Sequence, residues 1–299
     1  MEKRIAVVGL GQMGGRIAER LLRQRHSIGV YDTDQARTRA LASLGATPYD
    51  TLQRLGAEHD LVLTVLPNAD IVRQAVLGPN GLAGGMRQGS ILVDMTTSVP
   101  AVTKEIAAAL SQRGTLMLDA PVSGGVRKAE QGALTIMVGG SAAVLESARP
   151  VLRDVGEQII HVGGTGAGHT AKALNNLITA TTLAITSEAL ALGVKMGVNA
   201  QTLLDVVNAG SGRSAASETK FPQQILSRKF VPGFSMALMC KDVGIALDMA
   251  CSCEVPMGVA AAVHQLWKYG VDTGHGDMDH TAIALVVEEL AGVQIRNAS

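Results

Sequence analysis

The sequence predicts an α/β fold: an N-terminal doubly wound sheet, then an all-α C-terminal domain entered through a long central helix. Three observations carry this. Short apolar runs alternate with helical patterns up to about residue 162. A glycine-rich turn separates the first run from the first helix. From about 167 to 196 there is neither a proline nor a central glycine, which reads as one helix of roughly 45 Å. The predicted domains are 1–164 and 165–299.

The first apolar run, Arg4 to Val8, leads into Gly9-Leu10-Gly11-Gln12-Met13-Gly14. The helix after it places Met13, Ile17 and Leu21 four apart on one face. A second strand, Ser27 to Tyr31, ends at Asp32, 18 residues after Gly14. Gly9 permits the tight turn, Gly11 lets the backbone approach a pyrophosphate, and Gly14 lets the helix pack close to the sheet. The helix N-terminus favours the anion. Glycine-rich turns are common, but this one lies between a strand and a helix with an acid at the next strand end. That combination predicts a Rossmann-type dinucleotide-binding domain.

Asp32 bears on the choice of cofactor. A carboxylate there accepts hydrogen bonds from the adenosine ribose hydroxyls and repels a 2′-phosphate, so NAD is the predicted cofactor. Arg37 and Arg39 follow closely and could hold such a phosphate, which leaves NADP open; an exposed helix face is their plainer reading.

Further strands are expected at Leu61 to Leu66, Ser90 to Asp94, Thr115 to Leu118 and Leu134 to Val138, the last ones antiparallel in part. Ligands bind beyond the carboxyl ends of such strands. This points to Leu66-Pro67-Asn68, Met95-Thr96-Thr97 and Ala120 to Gly125.

Composition excludes several other classes. Apolar residues are 47% and aromatics only 2%, which suits helix packing on Ala, Leu, Val, Ile and Met. The net charge is zero, from 26 basic and 26 acidic residues without long like-charge runs, so no nucleic-acid partner is expected. Cys240, Cys251 and Cys253 fit neither a disulfide framework nor a zinc template. Met1 to Arg4 run straight into the first strand, leaving no room for a signal segment. The apolar stretch Ala173 to Val194 carries Asn175, Asn176, several Thr, Ser187 and Glu188, and is expected to be too polar for a membrane span and to lie buried at the centre. A cytoplasmic protein is expected. His275-Gly276-Asp277-Met278-Asp279-His280 has metal-type residues but reads better as a turn and helix cap, and no metal is predicted.

Lys172 and Asn176 lie one turn apart on the long helix, with Asn175 adjacent. A lysine snorkelling to water is the plain reading of Lys172. Four segments, however, resemble motifs of the β-hydroxyacid dehydrogenase family, in order and across nearly the whole chain. They are Gly9 to Gly14, Asp119-Ala120-Pro121-Val122-Ser123-Gly124-Gly125, Gly166 to Asn176, and Lys241-Asp242-Val243-Gly244-Ile245-Ala246-Leu247-Asp248.

The resemblance implies an NAD-dependent oxidoreductase acting on a small β-hydroxyacid. It implies Lys172 as the catalytic residue, with Ser123, Gly124, Gly125, Asn176 and Lys241 binding substrate. Gly9, Leu10, Gly11, Gln12, Met13, Gly14, Asp32, Leu66, Pro67, Thr97 and Lys241 are implied on the cofactor side. For Lys241, a paired and exposed Lys241–Asp242 surface is the alternative. Ser211-Gly212-Arg213-Ser214 resembles members acting on 3-hydroxyisobutyrate or 2-(hydroxymethyl)glutarate, and Arg213 could meet a second carboxylate.

The chemistry suits those residues. Reduction of a carbonyl develops an alkoxide, which an ammonium stabilises and protonates, and the free amine serves as base in oxidation. Ser123, Gly124 and Gly125 offer a hydroxyl and unhindered amides for a carboxylate. Asn176 can donate to the same oxygen. Imine reductases share the fold but generally lack the lysine. An idle NADH-sensing module is a reading from another class, opposed by Lys172, Asn176 and Ser123. A homodimer or homotetramer is expected.

Overall fold

A computed structural model describes residues 3–296. The elements of the first half are β1 (Ile5–Val8), α1 (Gln12–Arg23), β2 (Ile28–Tyr31), α2 (Gln35–Ala42), β3 (Thr47–Pro48), α3 (Leu52–Glu58), β4 (Leu61–Thr64), α4 (Ala69–Leu77), β5 (Ile91–Asp94), α5 (Pro100–Ser111), β6 (Leu116–Asp119), β7 (Val122–Ser123), α6 (Gly125–Gln131), β8 (Leu134–Gly139), α7 (Ala142–Val155) and β9 (Gly156–Gly163). They form one sheet of order β3-β2-β1-β4-β5-β6-β8-β7, with β9 also paired to β8. Strands β1 to β6 run parallel; β8 is antiparallel to β6 and β7.

Strand alternation explains why helices cover both faces. Ile5 and Val7 join Leu61, Leu63, Ile91 and Val93 in one core, which Ile17 and Leu21 of α1 complete. Ala6, Val8, Val62 and Leu92 join the opposite core, with Leu55, Val72 and Ile106 from α3, α4 and α5.

Register brings one row of residues to the carboxyl ends of the strands. Tyr31 pairs with Val8, Val8 with Thr64, Thr64 with Asp94 and Asp94 with Asp119. Leu66-Pro67-Asn68 and Met95-Thr96-Thr97 leave the sheet just beyond this row, while Ala120 to Gly125 runs on through β7.

The second half contains α8 (Ala167–Lys195), α9 (Ala200–Ala209), α10 (Met236–Ser252), α11 (Gly258–Gly270) and α12 (Ile283–Ala291), with a wide helical segment over 216–225. The chain divides into two compact units, one ending at Lys172 and the other starting at Ala173. This differs from the boundary drawn at 164, because the first turn of α8 is fixed to the sheet.

In the second unit Trp267 is wholly buried and donates from Nε1 to Ala180 O at 3.3 Å. Asp279 accepts from Gly233 N, Phe234 N, Thr281 N and Thr281 Oγ1, so the His275–His280 segment is a turn and a cap.

Helix α8 corrects one expectation. Ala173, Leu177, Ala180, Leu183, Ala184 and Leu190 are buried, but Leu174, Ile178, Ile185 and Leu192 are 41–65% exposed along one stripe. The helix is therefore not central in a single chain. Its 18-residue window reaches a mean hydropathy of 1.6, so by length and composition it meets the requirement of a span, contrary to expectation. Its scattered Thr and Asn side chains weigh less than the aliphatic residues around them.

Candidate active site

The glycine turn is built as its spacing requires. Gly9 has φ +89°, and a Cβ there would lie 2.3 Å from Val65 O. At Gly14 a Cβ would lie 1.9 Å from Gly9 O, so the start of α1 packs directly on the turn. Gly11 differs: a Cβ there would meet only Arg37 Nη1, at 3.6 Å. Its open side, at the N-terminus of the 12-residue α1, is the cradle a pyrophosphate needs. The residues present therefore fit a dinucleotide.

Asp32 is buried, and the backbone fixes its carboxylate. Oδ2 accepts from Leu10 N at 2.6 Å and Oδ1 from Asp34 N at 2.8 Å. Each oxygen keeps a second lone pair for a ribose hydroxyl. Arg37 Nη1 lies 3.8 Å from Asp32 Oδ2, and Arg37 Nε lies 3.2 Å from Asp34. Of the two arginines considered for a 2′-phosphate, Arg37 is thus the one held beside the acid.

Leu66 N donates to Thr96 Oγ1 at 3.0 Å, joining the turn after β4 to the turn after β5. Pro67 and Thr97 flank that bond on the same edge of the sheet. Ser123 lies in β7, paired with Thr135 of β8, and the chain then turns through Gly124 (φ +133°) and Gly125 (φ +72°). Side chains other than glycine rarely adopt these angles; a Cβ on Gly125 would meet nothing within 4 Å, whereas one on Gly124 would lie 2.7 Å from Lys128 Cδ.

Lys172 belongs to the same unit and is 8% exposed. Asp119, at the end of β6, accepts from Gly166 N at 2.8 Å and from His169 N at 3.0 Å, capping the start of α8. Gly166 has φ +91°, and a Cβ on Gly168 would lie 2.4 Å from Met137 O. The helix turn before Lys172 is therefore set against the backbone of β6 and β8. The sequence reading missed the anchoring by Asp119 and Gly168, although both lie inside segments it had singled out.

In the second unit, Asn176 is 5% exposed and donates from Nδ2 to Asp242 Oδ2 at 2.6 Å. Lys241 Nζ lies 3.1 Å from Asp242 Oδ1. The pair is real, but it is not the exposed surface considered as an alternative: Asp242 is wholly buried. Arg213 pairs with a different acid. It is 64% exposed and lies 3.6 Å from Glu218 Oε1.

A Rossmann-type sheet, an open glycine cradle beside a buried acid held by backbone amides, and a buried lysine at a helix start define a nicotinamide-dependent dehydrogenase. The comparisons agree. Residues 4–163 match the NAD binding domain of 6-phosphogluconate dehydrogenase, and residues 166–287 match the NAD-binding domain of NADP-dependent 3-hydroxyisobutyrate dehydrogenase. The chain belongs to the β-hydroxyacid dehydrogenase family. A 2-(hydroxymethyl)glutarate dehydrogenase from Eubacterium barkeri is 39% identical over 297 residues, covering 99% of each chain. The mitochondrial 3-hydroxyisobutyrate dehydrogenase of Drosophila melanogaster is 34% identical over 94% of this chain and 88% of its own. Among solved structures, the 3-hydroxyisobutyrate dehydrogenase of Mycobacterium tuberculosis with L-serine superposes with a TM-score of 0.90 at 32% identity, covering 96% and 99%.

Proposed function

We propose that this chain interconverts a small β-hydroxyacid of the 3-hydroxyisobutyrate type and its semialdehyde or oxo acid, with NAD(H) as cofactor and Lys172 as the proton-transferring group. The observation that carries the assignment is a buried lysine whose helix turn is pinned to the sheet edge bearing the glycine cradle and Ser123.

The bound nicotinamide supplies the hydride in reduction and accepts it in oxidation. Ser123 Oγ and the Gly124 and Gly125 amides receive the substrate carboxylate. Lys172 donates a proton to the carbonyl oxygen as it becomes the alcohol, and in the other direction its neutral amine takes the hydroxyl proton. Gly9, Leu10, Gly11, Gln12, Met13 and Gly14 hold the dinucleotide phosphates, Asp32 the ribose, and Leu66, Pro67 and Thr97 line the cofactor side. Asn176 and Lys241 are assigned to substrate, and Lys241 also to cofactor, each oriented by Asp242.

A hydroxy dicarboxylate is the second reading for substrate, favoured by the resemblance to the Eubacterium barkeri enzyme. We further propose a homodimer or homotetramer, supported by the exposed apolar stripe of α8, and a cytoplasmic location, supported by three unpaired cysteines.

The test is a set of initial rates with 3-hydroxyisobutyrate, 2-(hydroxymethyl)glutarate, glycerate and 4-hydroxybutyrate, each with NAD and NADP. Turnover highest for a monoacid with NAD supports the first reading. NADH binding without turnover of any of them would mark an idle sensing module and sink the enzyme reading.

A further inference from the structure

A buried polar cluster in the first unit is not used by the chemistry above. Asp94, at the end of β5, is 1% exposed; its Oδ1 accepts from Thr64 Oγ1 at 2.9 Å and from Thr96 N at 3.2 Å. Its Oδ2 faces His169 Nε2 at 3.8 Å. His169 is 0% exposed, and its Nδ1 lies 2.7 Å from Thr103 Oγ1 on α5. Its backbone N–H is one of the two that Asp119 accepts. Burying an imidazole and two carboxylates is costly unless each is held by partners. Here the groups come from three elements, the β5 edge, α5 and the first turn of α8; Thr103 hydrogen-bonds the ring, while Asp94 Oδ2 makes no hydrogen bond among the described residues and meets the ring only by close approach.

The position of the cluster suggests its use. Asp94 is two residues before Thr96, which receives Leu66 N on the cofactor edge. His169 is three residues before Lys172, on the adjacent turn of the helix. The side chain of His169 thus bridges the loop assigned to the cofactor and the turn that presents the proton-transferring lysine. Each oxygen of Asp119 accepts a backbone amide, and among the described residues no group of His, Cys, Asp and Glu could hold a metal ion. The cluster is a pin.

We infer that His169 is a positioning residue for hydride and proton transfer, and that Thr103 by its hydrogen bond, with Asp94 packed against the ring, holds the imidazole at the register that sets Lys172 against the cofactor loop. Reactions of this kind lose rate steeply when reacting groups move by fractions of an ångström. Losing the pin should therefore lower the chemical step more than it lowers binding. The inference rests on the reading of Lys172 as the proton-transferring group.

The experiment compares wild type, His169→Gln, His169→Leu and Thr103→Val in the full-length enzyme. It measures kcat, KM for hydroxyacid and NAD, NADH affinity by fluorescence, and the primary deuterium isotope effect on kcat. His169→Leu should lower kcat by about tenfold or more. Its KM values and NADH affinity should stay within about twofold, while the isotope effect rises as hydride transfer becomes limiting. His169→Gln, whose amide can still meet Thr103 and Asp94, should recover most of kcat. Thr103→Val should fall between them, and it alone is read if His169→Leu does not fold. Unchanged kcat and isotope effect in these variants would overturn the inference. So would a fall in NADH affinity and stability that parallels kcat, with no rescue by Gln. A parallel Lys172→Ala assay separates the two levels: near-normal turnover there defeats the Lys172 reading itself, whereas a loss there beside unchanged His169 variants defeats only this inference.

Discussion

Asn176 Nδ2 donates to Asp242 Oδ2 at 2.6 Å across 66 residues of sequence, and the carboxylate's other oxygen lies 3.1 Å from Lys241 Nζ. One wholly buried acid thus orients two of the polar groups assigned to substrate.

Asp242→Asn should weaken both links. A buried hydrogen bond to a charged group contributes about 1.5–3 kcal/mol, so kcat/KM for the hydroxyacid should fall by about ten- to a hundredfold. NADH affinity should change less. Steady-state kinetics beside NADH titration checks this, and an unchanged kcat/KM would remove Asp242 from the account.

The fold was legible where the signal is local. Gly9, Gly11 and Gly14 report turn geometry, and apolar runs report strands, so β1, β2, β4, β5, β6 and β8 stood out in the sequence. Strands β3 and β7 did not, because two residues are too few to show alternation. Lys172, Asn176 and Ser123 were singled out through motifs, but the residues that hold them in place were not. An exposed Lys241–Asp242 pair stayed open as the alternative because nothing near Asp242 in the sequence reveals an asparagine 66 residues away. The Asp119–His169 contact spans 50 residues and is equally silent. The exposed stripe on α8 was misread as core because periodicity shows an apolar face, not what covers it.

Asp32 is assigned to the cofactor ribose. Asp32→Ser, alone or with Thr33→Arg, should raise activity with NADP relative to NAD, because it removes a carboxylate beside the 2′ position and leaves Arg37 there. The ratio of kcat/KM for the two cofactors is the measurement. A constant ratio would mean that Asp32 does not face the ribose.

Burial pushes the Asp94 carboxyl up to about 6 from an ordinary 3.8, against the hydrogen bonds from Thr96 and Thr64. The folded value is the higher one, so protonation favours the folded state. That contribution is complete below about pH 4 and is lost as pH rises through 6. Over this window it amounts to about 3 kcal/mol. The Tm of Asp94→Asn relative to wild type should therefore rise between pH 5 and pH 8. A difference that stays constant with pH would contradict the shift.

Arg213 lies beside Glu218 in an exposed loop. On the monoacid reading, Arg213→Met should change kcat/KM for 3-hydroxyisobutyrate and for 2-(hydroxymethyl)glutarate by the same factor. Selective loss for the dicarboxylate, with monoacids spared, would instead show that Arg213 meets a second carboxylate.

The proton-transfer role of Lys172 is tested most directly by single-turnover kinetics of Lys172→Ala alongside NADH affinity. The account predicts a chemical step slower by about two to four orders of magnitude, the range for a lost general acid–base group. NADH should bind within about twofold of wild type, because the cradle at Gly9 to Gly14 and Asp32 is untouched. A chemical step near the wild-type rate would contradict the account.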